Sequence, residues 1–152
     1  GRVSDTLASA LDLFPTVCAV AGLPVPPGIP LDGGINLLPV LDGSKPEPKR
    51  ALFFEFHFAQ RGVVPSLPLA VREGPWKLFS NYAFTSVELY DLRRDIAERV
   101  NLVSQRPEIV QRLRWELWQW WTSIAPTVDL APRISRIAVP SPEELENRYY
   151  RN

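Results

Sequence analysis

The chain has 152 residues, 45% of them apolar and 22% charged, which fits one soluble domain or a small domain with appendages. Seventeen basic residues balance seventeen acidic ones, which excludes the net basic footprint of a nucleic-acid or anionic-membrane binder. One cysteine excludes an intrachain disulfide and a thiolate zinc cage, and one histidine excludes a multi-histidine metal centre.

In chain order, residues 4–22 are predicted as one helix or two short ones. Asp12 is the N-cap candidate, Pro15 is tolerable in a first turn, and Gly22 supplies a stop before Pro24. Leu13, Phe14, Val17, Cys18, Val20 and Ala21 go almost all the way round the axis at about 100° per residue. Such a helix wants burial on every side. The uncharged span from Leu13 to Leu31 is broken by Pro15, Pro24, Pro26, Pro27 and Pro30, so it is not read as a membrane helix. Residues 23–34 form a Pro/Gly-rich connection ending at Gly33-Gly34. Ile35 to Leu41 is read as a helical turn stopped at Asp42-Gly43. Lys45 to Arg50 is a charged, proline-spaced linker and the clearest candidate boundary.

Ala51 to Phe58 is aromatic-rich and reads as a strand, with Phe54, Phe56 and Phe58 on one face and Phe53, Glu55 and His57 on the other. Leu67 to Arg72 is a second strand, turned by Glu73-Gly74 into a third, Trp76 to Phe79. Asn81 to Ser86 is a turn region, and Val87 to Leu92 is a fourth strand. Short connections imply an antiparallel meander, because parallel neighbours need a long crossover. Asp95 to Asn101 is turn-rich. Pro107 opens a helix to Ile124, whose stripe of Ile109, Val110, Leu113, Leu117, Trp120, Trp121 and Ile124 should lie on one face of the sheet. Beyond Pro126 the tail is irregular, with a short terminal helix starting near Pro142. The fold class expected is α+β: a four-stranded antiparallel sheet packed on one long helix.

These residues hold no complete catalytic set. His57 is the sole base for a Ser-His-Asp arrangement, and there is no Gly-x-Ser-x-Gly elbow. A Cys18–His57 pair is formally available. On an apolar helix, however, Cys18 reads as a small buried hydrophobe. Glu55 and His57 on one strand face are suited to acid–base work, against the plainer reading of a solvated or interdomain face. Asp5, Asp12 and Asp32 are scattered, and caps or turns account for them without a metal. Trp115 and Trp118 fall on the polar side of the long helix. They read either as a stacking platform for a sugar or, preferentially, as residues covered by the tail.

Several phrases nevertheless resemble one family. Leu11-Asp12-Leu13-Phe14-Pro15-Thr16, Ala21-Gly22-Leu23-Pro24, Leu31-Asp32-Gly33 and Leu37-Leu38-Pro39-Val40-Leu41-Asp42-Gly43 are similar to a run in type I sulfatases. Leu52-Phe53-Phe54-Glu55-Phe56-His57 resembles their L-F-W-E-x-H strand. Ala70-Val71-Arg72 with Trp76-Lys77-Leu78 resembles A-V-R-x-G-D-W-K-L. Glu88-Leu89-Tyr90-Asp91-Leu92 with Asp95, Glu98 and Asn101-Leu102 resembles a further phrase. Pro75 and Ile96 depart from the pattern, both at turn positions.

The resemblance implies an arylsulfatase-like hydrolase of sulfate esters with an alkaline-phosphatase superfamily fold. It places residues 1–45 at the end of a large α/β domain, residues 50–125 in a small C-terminal subdomain, and 126–152 in a tail. The family's nucleophile is a formylglycine made within C/S-x-P-x-R, and its calcium is held by Asp and Asn side chains. Neither set is present, since Cys18 is followed by Ala19-Val20-Ala21-Gly22. The chain is therefore expected to be an inactive C-terminal fragment, a status its missing methionine start also favours. Its implied partners are an absent N-terminal catalytic domain and a sulfated small molecule or glycan, with self-association through exposed apolar surface as a further option. No nucleic-acid or membrane partner is expected, and the resemblance favours a periplasmic or extracellular location. His57 is the best substrate-contact candidate and Gln60 the second. The rival readings are an independent glycan-binding module using Trp115, Trp118 and the face around His57, and a phosphoester or phosphonate hydrolase of the same superfamily.

Overall fold

A computed structural model describes residues 3–31, 33–56 and 67–124. The chain divides into two units, Gly1–Leu52 and Phe53–Asn152.

In the first unit the helix predicted over 4–22 is shorter. A 3-10 turn, Ala10–Asp12, leads into α1, Leu13–Val20. Residues 4–9 stay outside because Ser9 takes the N-cap position. Its hydroxyl accepts from the Leu11 N–H at 3.2 Å, and the Asp12 carboxylate accepts from the Ser9 N–H at 2.7 Å, closing a capping box. Asp12 thus corrects its expected role. It makes no side-chain cap bond to α1 and faces back instead. The far end of α1 closes as anticipated. Gly22 takes a φ of 68°, its N–H donates to the Ala19 carbonyl at 3.1 Å, and the Leu23 N–H donates to Cys18 at 2.9 Å. This is a Schellman closure, which needs a left-handed residue at that point. The turn predicted after Ile35 is α2, Leu38–Leu41, followed by Gly43 at a φ of 81°.

Asp12 is fully buried and is the polar centre of this unit. Besides Ser9, it accepts from the Ile35 N–H and from Arg50 Nη1, both at 2.9 Å, while Arg50 Nη2 donates to the Gly33 carbonyl at 3.2 Å. One carboxylate therefore joins the helix start, the Gly33–Ile35 segment and the end of the charged linker. Burial alone would raise its pKa. The Ile35 and Ser9 amides and the Arg50 guanidinium outweigh burial and hold it below the usual carboxylate value. Gly34 presses on the same region, since a Cβ there would clash with the Leu11 backbone carbonyl. By contrast α1 leaves Leu13, Phe14, Val17 and Val20 exposed at 64, 45, 63 and 68%. An all-round apolar helix is thus present without cover over much of its circumference.

Four strands follow: β1, Ala51–Glu55; β2, Leu69–Glu73; β3, Trp76–Ser80; and β4, Val87–Asp91. They form one sheet in the order β1-β2-β3-β4, the expected meander. Val71 pairs with Leu78 and Leu78 with Leu89, so these three side chains form one row, and all three are fully buried. Glu73 and Trp76 close the β2–β3 hairpin around Gly74-Pro75, with Gly74 at a φ of 53°. Two loop residues with a left-handed first position match the twist of the flanking strands.

The long helix, α3, spans Pro107–Ile124 as predicted and packs on β2 and β3. Leu113, Leu117 and Trp121 are fully buried, and burying each contributes about 1.5–3 kcal/mol relative to exposure. Arg112 of α3 pairs with Glu73 of β2, and Arg114 donates to the Phe84 carbonyl in the β3–β4 connection. Phe84 holds a φ of 54°, an unfavourable value for a bulky side chain. Its complete burial and its N–H bond to the Asn81 carbonyl fix it there. The sheet-and-helix architecture agrees with the α+β class read from the sequence.

Candidate functional site

The sequence directs attention to the end of β1, and the structure describes the strand up to Phe56. Phe53 stacks on Trp120 of α3, with ring centroids 5.3 Å apart and planes inclined by 12°. Two residues on, the Tyr82 hydroxyl donates to Glu55 Oε1 at 2.6 Å, and the Tyr82 ring lies 5.1 Å from Trp121. The Phe56 N–H donates to the Pro68 carbonyl at 2.7 Å, extending the pairing just past the strand. The Phe53/Glu55 side of β1 is therefore the side facing α3. This corrects the reading of Glu55 as part of a solvated or interdomain face: its carboxylate is engaged by Tyr82. His57 and Gln60 lie outside the described residues, so the pairing of Glu55 with His57 does too.

The other side of the sheet carries a charged cluster that the sequence reading missed. Lys77 Nζ lies 2.6 Å from Glu98 Oε1 and 4.5 Å from the centre of the Phe79 ring. The Phe79 ring meets Tyr90 edge-on at 6.1 Å, and the Tyr90 hydroxyl donates to Glu88 at 3.0 Å. Burial, the Glu88 hydrogen bond and the charges of Glu88, Glu98 and Asp95 push the Tyr90 phenol up to about 12. It is neutral at physiological pH and serves as a donor, not a base. Strand alternation places Lys77, Phe79, Glu88 and Tyr90 opposite the Leu78 and Leu89 row. That signal was present in the sequence, while the closing Glu98, at a φ of 55°, depends on a non-glycine left-handed turn that pattern does not announce.

The remaining candidates resolve as follows. Cys18 sits half-buried on α1, and its formal partner His57 lies outside the described residues. Asp12 belongs to the Arg50 ion pair. No group of three or more His, Cys, Asp or Glu side chains converges among the described residues, so they do not fit a calcium site. The formylglycine motif is absent from the sequence as well. Trp118 is only 7% exposed and stacks on Trp115 at 5.0 Å. It does not offer the open platform that the glycan-module reading needs. The tail read as its cover lies outside the described residues. Chemically, the described residues supply scaffold, ion pairs and hydrogen bonds.

Comparisons with known proteins give this scaffold a family. The family model for the C-terminal region of N-sulphoglucosamine sulphohydrolase matches residues 1–123. Arylsulfatase A of Homo sapiens is 34% identical over 139 residues, covering 74% of this chain and 26% of that protein. A crystal structure from Bacteroides thetaiotaomicron, assigned to the sulfatases, superposes with a TM-score of 0.66 at 28% identity, covering 85% of this chain and 28% of that one. The structure of a 2-O GAG sulfatase gives a TM-score of 0.64 at 27% identity, covering 84% and 28% respectively. The chain spans about a quarter of the length of the arylsulfatase A relatives it matches, 26% and 24%. With the family model covering residues 1–123, most of the chain, the chain belongs to the N-sulphoglucosamine sulphohydrolase C-terminal family, as a C-terminal sulfatase domain.

Proposed function

We propose that this chain works as the C-terminal part of a longer sulfuric ester hydrolase that acts on sulfate esters of a carbohydrate or an aryl alcohol. The observation that carries the reading is the family match over residues 1–123 on a sequence that lacks the formylglycine motif and whose described residues gather no metal-ligand cluster. The chemistry must then come from elsewhere in the parent: a formylglycine nucleophile and a calcium ion supplied by its N-terminal catalytic domain. His57 and Gln60, two and five positions after Glu55 in the sequence, would approach the substrate. The relatives' names support both substrate classes, one being an arylsulfatase and another a 2-O GAG sulfatase. A periplasmic or extracellular location accompanies this reading. No helix among the described residues is long and apolar enough to cross a membrane.

The test compares the isolated chain with the full-length parent, using p-nitrophenyl sulfate and p-nitrophenyl phosphate with calcium present. The expected result is no sulfate release by the chain alone and preferential sulfate release by the parent. His57→Ala in the parent should raise KM for sulfate esters. Sulfate release by the chain alone at an enzyme-like rate would overturn the assignment of chemistry to the rest of the parent. A parent that prefers the phosphate ester would move the reading to the phosphoester-hydrolase branch.

A further inference from the structure

The least satisfied cation described in the second unit is Arg72, the fourth of the five residues of β2. It makes no hydrogen bond or ion pair among the described residues, and its Nε is buried without a partner. The neighbouring Glu73 points the other way, to Arg112 of α3, so Arg72 projects from the sheet face opposite α3. Its cross-strand neighbour Lys77 already has Glu98, and its positive charge adds to the need for an anion beside Arg72. On β1, Phe53 stacks on α3, so Phe54 points to the same side as Arg72, and it is 38% exposed.

An arginine held partly out of water with an orphaned donor is a net cost to a fold that contains nothing else. The expense is recovered when a carboxylate reaches the guanidinium, because a desolvated Arg–carboxylate pair forms two parallel charge-assisted bonds. From this we infer that the β1–β2 half of the sheet face opposite α3 is a docking face. Arg72 is its anchor, and its occupant is an acidic side chain of the catalytic portion of the parent, with apolar contact on Phe54. The inference rests on the reading of this chain as part of a longer sulfatase, and it adds the face and the residue through which the two portions meet. Two observations favour a protein surface over a small anion. Arg72 lies on the face of a sheet, whereas small ligands are held in concave sites. Relatives also carry about three-quarters of their length outside the matched region, which supplies such a surface.

The test uses the full-length parent and its Arg72→Met and Arg72→Lys variants. Removing an unpaired, partly buried cation leaves the thermal midpoint unchanged or raises it. Removing one that is paired lowers it. The expected order of midpoints is wild type above Lys above Met, with Met lower by several degrees. A Met midpoint equal to or above wild type overturns the inference. Should Met fail to fold, hydroxyl-radical footprinting of the wild-type parent decides. Phe54 should be oxidised several-fold less than its intrinsic reactivity and 38% exposure predict, and oxidation at the predicted rate overturns the inference. Protection that appears only on adding an aryl sulfate overturns it too, by assigning the face to substrate. Hydrolysis of p-nitrophenyl sulfate is measured separately. An active parent with an unprotected face refutes the docking face alone, while an inactive parent with a protected face refutes the sulfatase reading alone.

Discussion

Asp12→Ala is the most informative single substitution in the first unit. The carboxylate is fully buried and accepts from Ser9, Ile35 and Arg50, whose side chain is only 10% exposed. Removal leaves two backbone amides without an acceptor and a nearly buried guanidinium without its counter-charge, holding only the Gly33 carbonyl. Breaking a buried ion pair from one side costs about 3–5 kcal/mol, mostly the penalty of the orphaned charge. At about 1.4 kcal/mol per tenfold, local opening becomes roughly a hundredfold to several thousandfold more frequent. Hydrogen exchange at the Ile35 amide reads that opening directly. Asp12→Asn keeps an acceptor oxygen but not the charge, so it should fall between Ala and wild type. The double variant Asp12→Ala/Arg50→Met should recover part of the loss, because it removes the stranded cation. Less than a tenfold change at Ile35 in Asp12→Ala, or a double variant as fast-exchanging as the single, would refute the argument. The pH dependence has a definite sign. The folded pKa lies below the unfolded one, so the stabilisation is complete above the ordinary carboxylate range and is lost as pH falls through the lowered value. Ile35 protection should therefore stay constant between pH 5 and 8, apart from intrinsic exchange, on the order of the usual window for paired carboxylates.

Three further outcomes test other parts of the fold. Leu117→Ala, at a fully buried position of α3, should lower stability by about 3–5 kcal/mol, measured by tryptophan-detected denaturation. Gly34→Ala should lose about 1–3 kcal/mol or more, because its Cβ would meet backbone and not a movable side chain; thermal unfolding followed by circular dichroism reads this. In a spectrophotometric titration of the phenolates, Tyr90 should ionise near pH 12, and its contribution to stability should fade as pH rises from the unfolded value near 10 to the folded one. Tyr90→Phe should remove that late step from the titration.

Much of this fold is legible in the residues, for reasons that can be named. Pro107 and a stripe at helical period define α3, because both ends and one face are marked. Gly22, Gly43 and Gly74 mark stops and a hairpin, because left-handed backbone is cheap only for glycine. The helix start is ambiguous in the sequence because Ser9 and Asp12 both suit an N-cap, and only the tertiary partners Ile35 and Arg50 decide between them. Alternation along β1 told which residues share a face and left open which face meets α3. Trp118 falls outside the apolar stripe yet is buried, because the buried face of α3 is wider than the stripe. The candidate site was less legible. His57 and Gln60 come from family resemblance and lie outside the described residues. The Lys77–Glu98 contact joins positions 21 apart, a separation that no local pattern encodes.

The outer margin of β4 has a consequence for how this protein behaves in a crowded solution. The Leu89 N–H donates to the Asn101 side chain at 3.1 Å, and the Leu102 N–H donates to the Leu89 carbonyl at 2.7 Å. The segment after the strand therefore occupies the hydrogen-bonding groups that an invading chain would seek. Ribbon-like polymerisation from that border must first peel away residues 101 and 102, so the molecule carries its own guard against fibril growth on that flank.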